Sequence, residues 1–333
     1  MSQVSSTIAW PRACPATGEA GTGALTRDMR PETWRETRDL RPETLRRWVG
    51  NGILPAMNFL DRKAYDWGCA FARALFWLFP RRKRIAVENI LKAGITDDPK
   101  EALRIARMSW GHLAGHVCEA LRVPHVITRE NWREHLDVSE GHPDAVRLLL
   151  EETDTPIILV SAHHGVWEAA TNLLSFARPM FAIARVMNNK LVANWMKNHH
   201  FRGPVTIIDK NHGFTPEILR KWVEDRAAMT ILMDQHTSKG LPLTFLGRPA
   251  KTFSSAARLA IRTGYPVVVG SFVRVAPYRY RLVGGPPLRF PKDADRAAAT
   301  QLLNDRLGEA IRKYPEQYLW VHRRWREKEK KES

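Results

Sequence analysis

Ile157-Ile158-Leu159-Val160-Ser161-Ala162-His163-His164-Gly165-Val166-Trp167-Glu168 is the stretch on which the reading of this chain turns. Its apolar, partly β-branched opening reads as a buried strand. Gly165 supplies a break, after which Trp167 to Phe176 reads as a helix. The chemistry-bearing side chains therefore sit at a strand-to-helix turn. In an unbroken helix, residues five apart point about 140° away from each other. Across a turn that restriction is lifted. A Glu168 carboxylate in the first helical turn can then accept the Nδ1–H of His163 and fix its tautomer, leaving Nε2 to take a proton from a hydroxyl. His164 competes for the role, and only its different spacing to Glu168 separates the two. An isolated His-x4-Glu string is more often structural than catalytic. No metal site is expected, because the His-Glu-x-x-His helix pattern and a spaced third ligand are both missing.

Working outward, the 333 residues suffice for one large α/β domain or two smaller ones. Lys plus Arg is 52 against 35 for Asp plus Glu, a formal net charge of +17. That balance favours anionic partners: nucleic acid, an anionic membrane surface, phosphorylated substrates or an acidic carrier protein. Cys14, Cys69 and Cys118 form no paired pattern, which fits a reducing compartment.

The first 28 residues are rich in Ala, Gly, Thr and Ser and lack the layout of a signal peptide. They read as disordered, and Met29 is an alternative start. The run Arg30-Pro31-Glu32-Thr33 recurs as Arg41-Pro42-Glu43-Thr44, each copy resembling a proline-initiated helix start. Ala64 to Phe79 is apolar and aromatic, yet Asp66 and Arg73 interrupt it and Pro80 with Arg81-Arg82-Lys83-Arg84 ends it. It is too short and too charged to span a bilayer, which takes roughly 20 apolar residues. Trp67, Phe71, Leu75 and Leu78 share one helical face. That face suits either an interfacial helix beside a lipid-facing basic cluster or a helix packed on the protein's own core.

Residues 85–121 read as helices, with Asp97-Asp98-Pro99 as a start signal among them. From Pro156 onward, apolar runs at 157–160, 181–184, 205–208, 229–233 and 267–273 alternate with helical stretches at 189–200, 216–225 and 255–263. This alternation predicts an α/β layer architecture with the His163 turn at the carboxyl end of a strand, where pockets form.

Four blocks now carry a family resemblance: the His163-x4-Glu168 turn; Arg185-Val186-Met187-Asn188-Asn189; Asp234-Gln235 with the following Thr244-Phe245-Leu246-Gly247-Arg248-Pro249; and Tyr314-Pro315-Glu316-Gln317-Tyr318-Leu319-Trp320. In this order they resemble the lauroyl/myristoyl acyltransferases of lipid A biosynthesis, within the glycerolipid (lysophospholipid) acyltransferase superfamily. The chain departs from that family at His199-His200-Phe201-Arg202-Gly203 and in having only an interrupted apolar stretch where relatives carry a membrane helix.

The resemblance implies an α/β fold: a single glycerolipid-acyltransferase-like domain with a mixed, mainly parallel central sheet flanked by helices, and a helical N-terminal region. Along the chain it implies a polar extension over 1–45, a membrane-proximal helical region over 46–125, the α/β core over 126–326 and a charged tail over 327–333. It also implies acyl transfer from a thioester to a lipid hydroxyl, with His163 as base and Glu168 orienting it. The oxyanion is then met by Gly165 and the N-terminal end of its helix, assisted by Arg185. Asn189, Asp234, Gln235 and Arg248 are candidate binding residues. The other reading makes Arg185 and Asn189 a structural bridge and a helix cap, and Asp234-Gln235 an Asx turn. Arg248, Lys251 and Arg258 are candidate phosphate contacts, the other reading being solvated surface charges, and the aromatic-flanked segment with His322, Arg323 and Arg324 is expected to pack against the core with the Arg pair reaching lipid phosphates. The implied donor is acyl carrier protein or acyl-CoA, the acceptor a lipid A precursor, and the location the cytoplasmic face of the bacterial inner membrane; no cofactor is implied. Acylation of a glycerophospholipid or aminolipid is a neighbouring alternative. A basic nucleic-acid-binding protein or a non-catalytic membrane scaffold are alternatives of another class, though no nucleic-acid module is recognisable.

Overall fold

The structure is a computed structural model that describes residues 66–184, 203–209 and 213–325. Its centre is strand β2 (Ile157–Ser161), in which all five residues are buried. A strand covered on both faces has no solvent side to alternate with, which is why the opening run is continuously apolar. Around it stand β1 (Leu136–Gly141), β3 (Met180–Ala184), β4 (Val205–Asp209), β5 (Ala228–Leu232), β8 (Val267–Ala276) and β9 (Arg279–Gly284). They form one seven-stranded sheet in the order β1-β9-β8-β2-β5-β3-β4. Every pairing is parallel except the β8–β9 hairpin. The mixed, mostly parallel α/β sheet expected from the sequence is therefore present.

The remaining strands, β6 (Leu241–Phe245) and β7 (Arg248–Thr252), make a separate antiparallel hairpin turned at Leu246 and Gly247, both with positive φ. Sequence reading missed β1, β6, β7 and β9. All are short and carry partly covered or exposed positions along their length, so none shows the continuous apolar run that marks the central strands.

Seven labelled helices flank the sheet: α1 (Pro80–Lys92), α2 (Pro99–Val126), α3 (Pro143–Leu150), α4 (Trp167–Leu174), α5 (Pro216–Glu224), α6 (Ser255–Thr263) and α7 (Arg296–Lys313). Their starts follow local chemistry. Asp98 caps α2, Thr215 caps α5 and Asp295 caps α7, and proline stands in the first turn of α1, α2, α3 and α5. The region read as helices over 85–121 is realised as α1 and the long α2, divided at the Asp97-Asp98-Pro99 signal.

Before α1, residues 66–75 are helical and run into a 3-10 turn at Phe76–Leu78. Cys69, Ala72 and Phe76 form the buried side, while Trp67 is 77% and Phe71 65% exposed. The aromatic stripe picked out from sequence thus faces away from the core, and the small residues face inward. Among the described residues no helix is long and apolar enough to cross a membrane.

Candidate active site

Strand register builds the site. β2 and β5 are neighbours with Ser161 opposite Leu232, and the Met233 N–H extends the ladder to the Ser161 carbonyl at 3.2 Å. Two residues beyond these paired ends stand His163 and Asp234. His163 Nδ1 lies 2.8 Å from Asp234 Oδ1, and the His163 backbone N–H donates to Oδ2 at 3.1 Å. One carboxylate thus holds both the ring and the main chain of His163.

This corrects the sequence expectation at Nδ1: its acceptor is Asp234 and not Glu168. The parallel register puts Asp234 opposite the histidine. The Glu168 carboxylate stands 3.7 Å from His116 Nε2. Burial raises its pKa, against the opposing pull of the His163 charge. Asp234 is 2% exposed. Burial alone would push its carboxyl up, but the His163 charge and the hydrogen bonds from that residue outweigh it and hold it below its ordinary value.

With Asp234 as acceptor, the His163 proton resides on Nδ1 and the Nε2 lone pair is left to accept. The Gln235 side-chain amide lies 3.1 Å from Nε2 and donates to it. Asp234 and Gln235, named from sequence as groups at a pocket mouth, are thus both in contact with the imidazole.

The neighbouring histidine is differently placed. His164 is fully buried, its Nε2–H donates to the Tyr314 carbonyl at 2.9 Å, and burial pushes its pKa down to about 4. It stitches the β2–α4 turn to the C-terminal segment. Gly165 has φ of +70°, and a Cβ there would meet the Phe272 carbonyl oxygen at 2.0 Å, so the turn requires glycine.

Two of the backbone donors at this turn already have acceptors within the protein. The Gly165 N–H donates to the Gln317 carbonyl at 3.0 Å and the Val166 N–H to the Phe272 carbonyl at 2.8 Å. Both groups already satisfy the protein's own carbonyls.

The facing wall comes from α2. Ser109, His112, His116 and Glu119 follow one another at intervals that put them on one face of that helix. Glu119 is fully buried and takes two hydrogen bonds from Arg274, at 2.9 and 2.7 Å, and one from the Tyr278 N–H at 3.0 Å. Arg274 also donates to His112 Nδ1 at 3.0 Å. Burial first, then the Arg274 charge, lower the His112 pKa to about 4. His116 stacks on Trp167 with ring centroids 3.9 Å apart, and the Trp167 edge faces His163 at 5.0 Å.

Between the two walls lies a narrow cleft lined by His112, His163, Gly165, Trp167, Gln317 and Tyr318 among others. Sequence reading assigned no chemistry to α2. The available signal was the recurrence of polar, titratable residues at helical spacing inside a helix otherwise rich in apolar residues.

The C-terminal block is the third component. Arg324 was expected to reach lipid phosphates together with Arg323. Instead Arg324 is 1% exposed and donates to the Gln235 carbonyl at 3.2 Å, to Thr252 Oγ1 at 2.6 Å and to the Lys251 carbonyl. Its rigid guanidinium fork ties the Asp234-Gln235 loop to the β6–β7 hairpin. His322 Nε2 accepts the His236 N–H at 3.2 Å. Arg323 remains exposed and, with His322, faces Arg81, Arg82 and Ile85 across an open groove.

Arg248 stacks on Trp325 with its guanidinium carbon 4.7 Å from the ring centroid. Lys251 donates to the Ser238 carbonyl at 3.2 Å, and Arg258 is exposed on α6. Arg185 and Asn189 lie outside the described residues, as does the helix read at 189–200. Among the described residues no cluster of His, Cys, Asp and Glu could hold a metal ion.

The sequence model of a family described as bacterial lipid A biosynthesis acyltransferase matches residues 33–327. The chain is 26% identical over 175 residues to the lipid A biosynthesis palmitoleoyltransferase of Escherichia coli (strain K12), covering 51% of this chain and 56% of that protein. It matches the lipid A biosynthesis acyltransferase of Shigella flexneri at the same identity and coverage. The match thus spans little more than half the length of either relative.

Proposed function

The chain belongs to the bacterial lipid A biosynthesis acyltransferase family, and from that premise we propose that it transfers a fatty acyl chain from an acyl thioester to a hydroxyl of a lipid A precursor. The observation that carries this reading is His163, held at Nδ1 by buried Asp234 with its Nε2 left to accept a proton. That is the arrangement a general base needs before it can deprotonate a hydroxyl at neutral pH.

In the proposed reaction His163 Nε2 removes the acceptor's proton as the oxygen attacks the thioester carbonyl. Asp234 stabilises the resulting imidazolium. Collapse of the tetrahedral intermediate expels the thiolate, which takes the proton back from Nε2, so no acyl-enzyme is required. Gln235, whose amide donates to Nε2, occupies the position the hydroxyl must take and yields it on binding. Glu168 supports the positive charge from the helix side, since its charge couples to that of His163.

Acyl carrier protein is the proposed donor, because the net charge of +17 suits an encounter with an acidic carrier. The exposed Trp67, Phe71 and Leu78 beside the Arg81–Arg84 run support peripheral association with the anionic cytoplasmic face of the inner membrane. The Arg81, Arg82 and Arg323 groove is the proposed contact for lipid phosphates.

The test is transfer from acyl carrier thioester to a lipid A precursor by purified protein, with the lipids of a deletion strain as the cellular counterpart. Formation of the ester, and loss of one acyl chain from lipid A in the deletion strain, are expected. Unchanged lipid A together with altered glycerophospholipids or aminolipids would overturn the proposed acceptor.

A further inference from the structure

The acyl-transfer reading leaves one requirement unmet. As the hydroxyl attacks, the carbonyl π electrons move onto oxygen, and that negative charge needs a hydrogen-bond donor fixed in advance. Two donors of the turn are already engaged, since the Gly165 and Val166 N–H groups donate to the Gln317 and Phe272 carbonyls. Three further donors along the cleft are also taken. Ser109 Oγ–H donates to the Tyr318 carbonyl at 2.5 Å, and the Leu319 N–H donates to the His163 carbonyl at 3.0 Å. Gln317 Nε2 donates to the Arg274 carbonyl at 2.9 Å.

His112 is different. It lines the same cleft as His163, and its Nδ1 sits 3.0 Å from Arg274 Nη1. A guanidinium can only donate, so Nδ1 must be the unprotonated nitrogen and the ring proton must reside on Nε2. Arg274 cannot turn away to relax this arrangement, because Glu119 holds it through two hydrogen bonds in a fully buried ion pair. Among the described residues no partner takes the Nε2–H. Burial and the adjacent guanidinium keep the ring neutral down to about pH 4. The ring is therefore a neutral N–H donor and not a second base competing with His163 for the proton.

We infer that His112 is a further catalytic residue, its Nε2–H donating to the thioester carbonyl oxygen as that oxygen becomes an oxyanion, with Arg274 and Glu119 as positioning residues that fix its tautomer. This rests on the acyl-transfer reading. The proton of His112 stays in place throughout. His163 Nε2 carries the transferred proton from the hydroxyl to the departing thiolate, and the carbonyl re-forms when the thiolate leaves. The two histidines thus divide the work, one moving a proton and the other holding a charge.

Two variants separate this from a structural role. His112→Phe keeps a ring and removes the donor, whereas His112→Gln restores an N–H near the Nε2 position. With full-length protein and an acyl carrier thioester as donor, His112→Phe is expected to lower kcat about 10²–10³-fold. KM should move little, and the pH dependence set by His163 should be unchanged. His112→Gln is expected to recover at least about tenfold of that loss. A second readout is the infrared stretch of an isotope-labelled thioester carbonyl bound to His163→Ala protein. It should lie below its frequency in water, and return towards the free value when His112→Phe is added.

A His112→Phe kcat within about threefold of wild type would overturn the inference. So would a His112→Gln variant no better than Phe, or a carbonyl stretch that His112→Phe leaves unmoved. If the wild-type protein transfers no acyl group while remaining folded, the acyl-transfer reading itself has failed, and the inference falls with it.

Discussion

The two walls of the cleft are built on opposite principles. The strand-end wall, His163 with Asp234 and Gln235, is set by β-sheet register: once β2 and β5 pair in parallel, residues two past their ends must meet. The helix wall, Ser109 to Glu119 on α2, is set by a buried ion pair that reaches from α2 to Arg274 on β8. The first wall leaves the imidazole ready to accept a proton. The second fixes an imidazole as a donor. The same residue type therefore serves opposite ends of one reaction, because a carboxylate faces Nδ1 of His163 while a guanidinium faces Nδ1 of His112.

The largest expected effect comes from the strand-end wall. His163→Ala and Asp234→Asn should each lower acyl transfer by about 10³–10⁴-fold, measured with carrier thioester, while circular dichroism stays native. A loss for Glu168→Gln as large as that for Asp234→Asn would blur the distinction drawn between the two carboxylates.

Next in size is the helix wall, tested through folding. Glu119→Gln strands the Arg274 charge in a buried site and should cost about 3–5 kcal/mol in denaturant unfolding. A cost under about 1 kcal/mol would mean that the ion pair does not hold the wall.

Acid should weaken both walls together. His112 and His164 have their pKa lowered from 6.5 to about 4 in the folded protein, so the unfolded chain binds more protons between those values. The associated stability is complete above about pH 6.5 and is lost as pH falls towards 4, on the order of 3 kcal/mol for each histidine. Unfolding titrations at several pH values read the slope, and His164→Gln should flatten it.

The smallest expected effect lies outside both walls. Replacing exposed Trp67 and Phe71 by alanine should weaken binding to anionic vesicles about tenfold, leaving thermal stability unchanged.

Local sequence made the first wall half legible and left the second unread. The β2 run, the Gly165 break and His163 form one contiguous signal, and strand-to-helix alternation was enough to predict the sheet around it. Asp234 stood out as a polar residue after a strand, yet its pairing with His163 spans 71 residues and depends on which strands are neighbours. No spacing rule along the chain carries that information, so Glu168, near in sequence, took the orienting role in the reading. Glu119 and Arg274 lie 155 residues apart for the same reason. On α2 the polar residues carried no assignment, and only the packing of Arg274 against them reveals a buried face. Arg324 misled in the converse way. A C-terminal arginine pair suggests an exposed basic surface, but the Thr252 hydroxyl and two carbonyls draw one of the pair inside.

The central claim is that Asp234 sets the tautomer of His163, and nitrogen NMR of the His163 ring tests it most directly. The account expects an Nδ1–H tautomer in the wild-type protein and in Glu168→Gln, lost or mixed in Asp234→Asn. An Nδ1–H tautomer that survives Asp234→Asn but disappears in Glu168→Gln would contradict it.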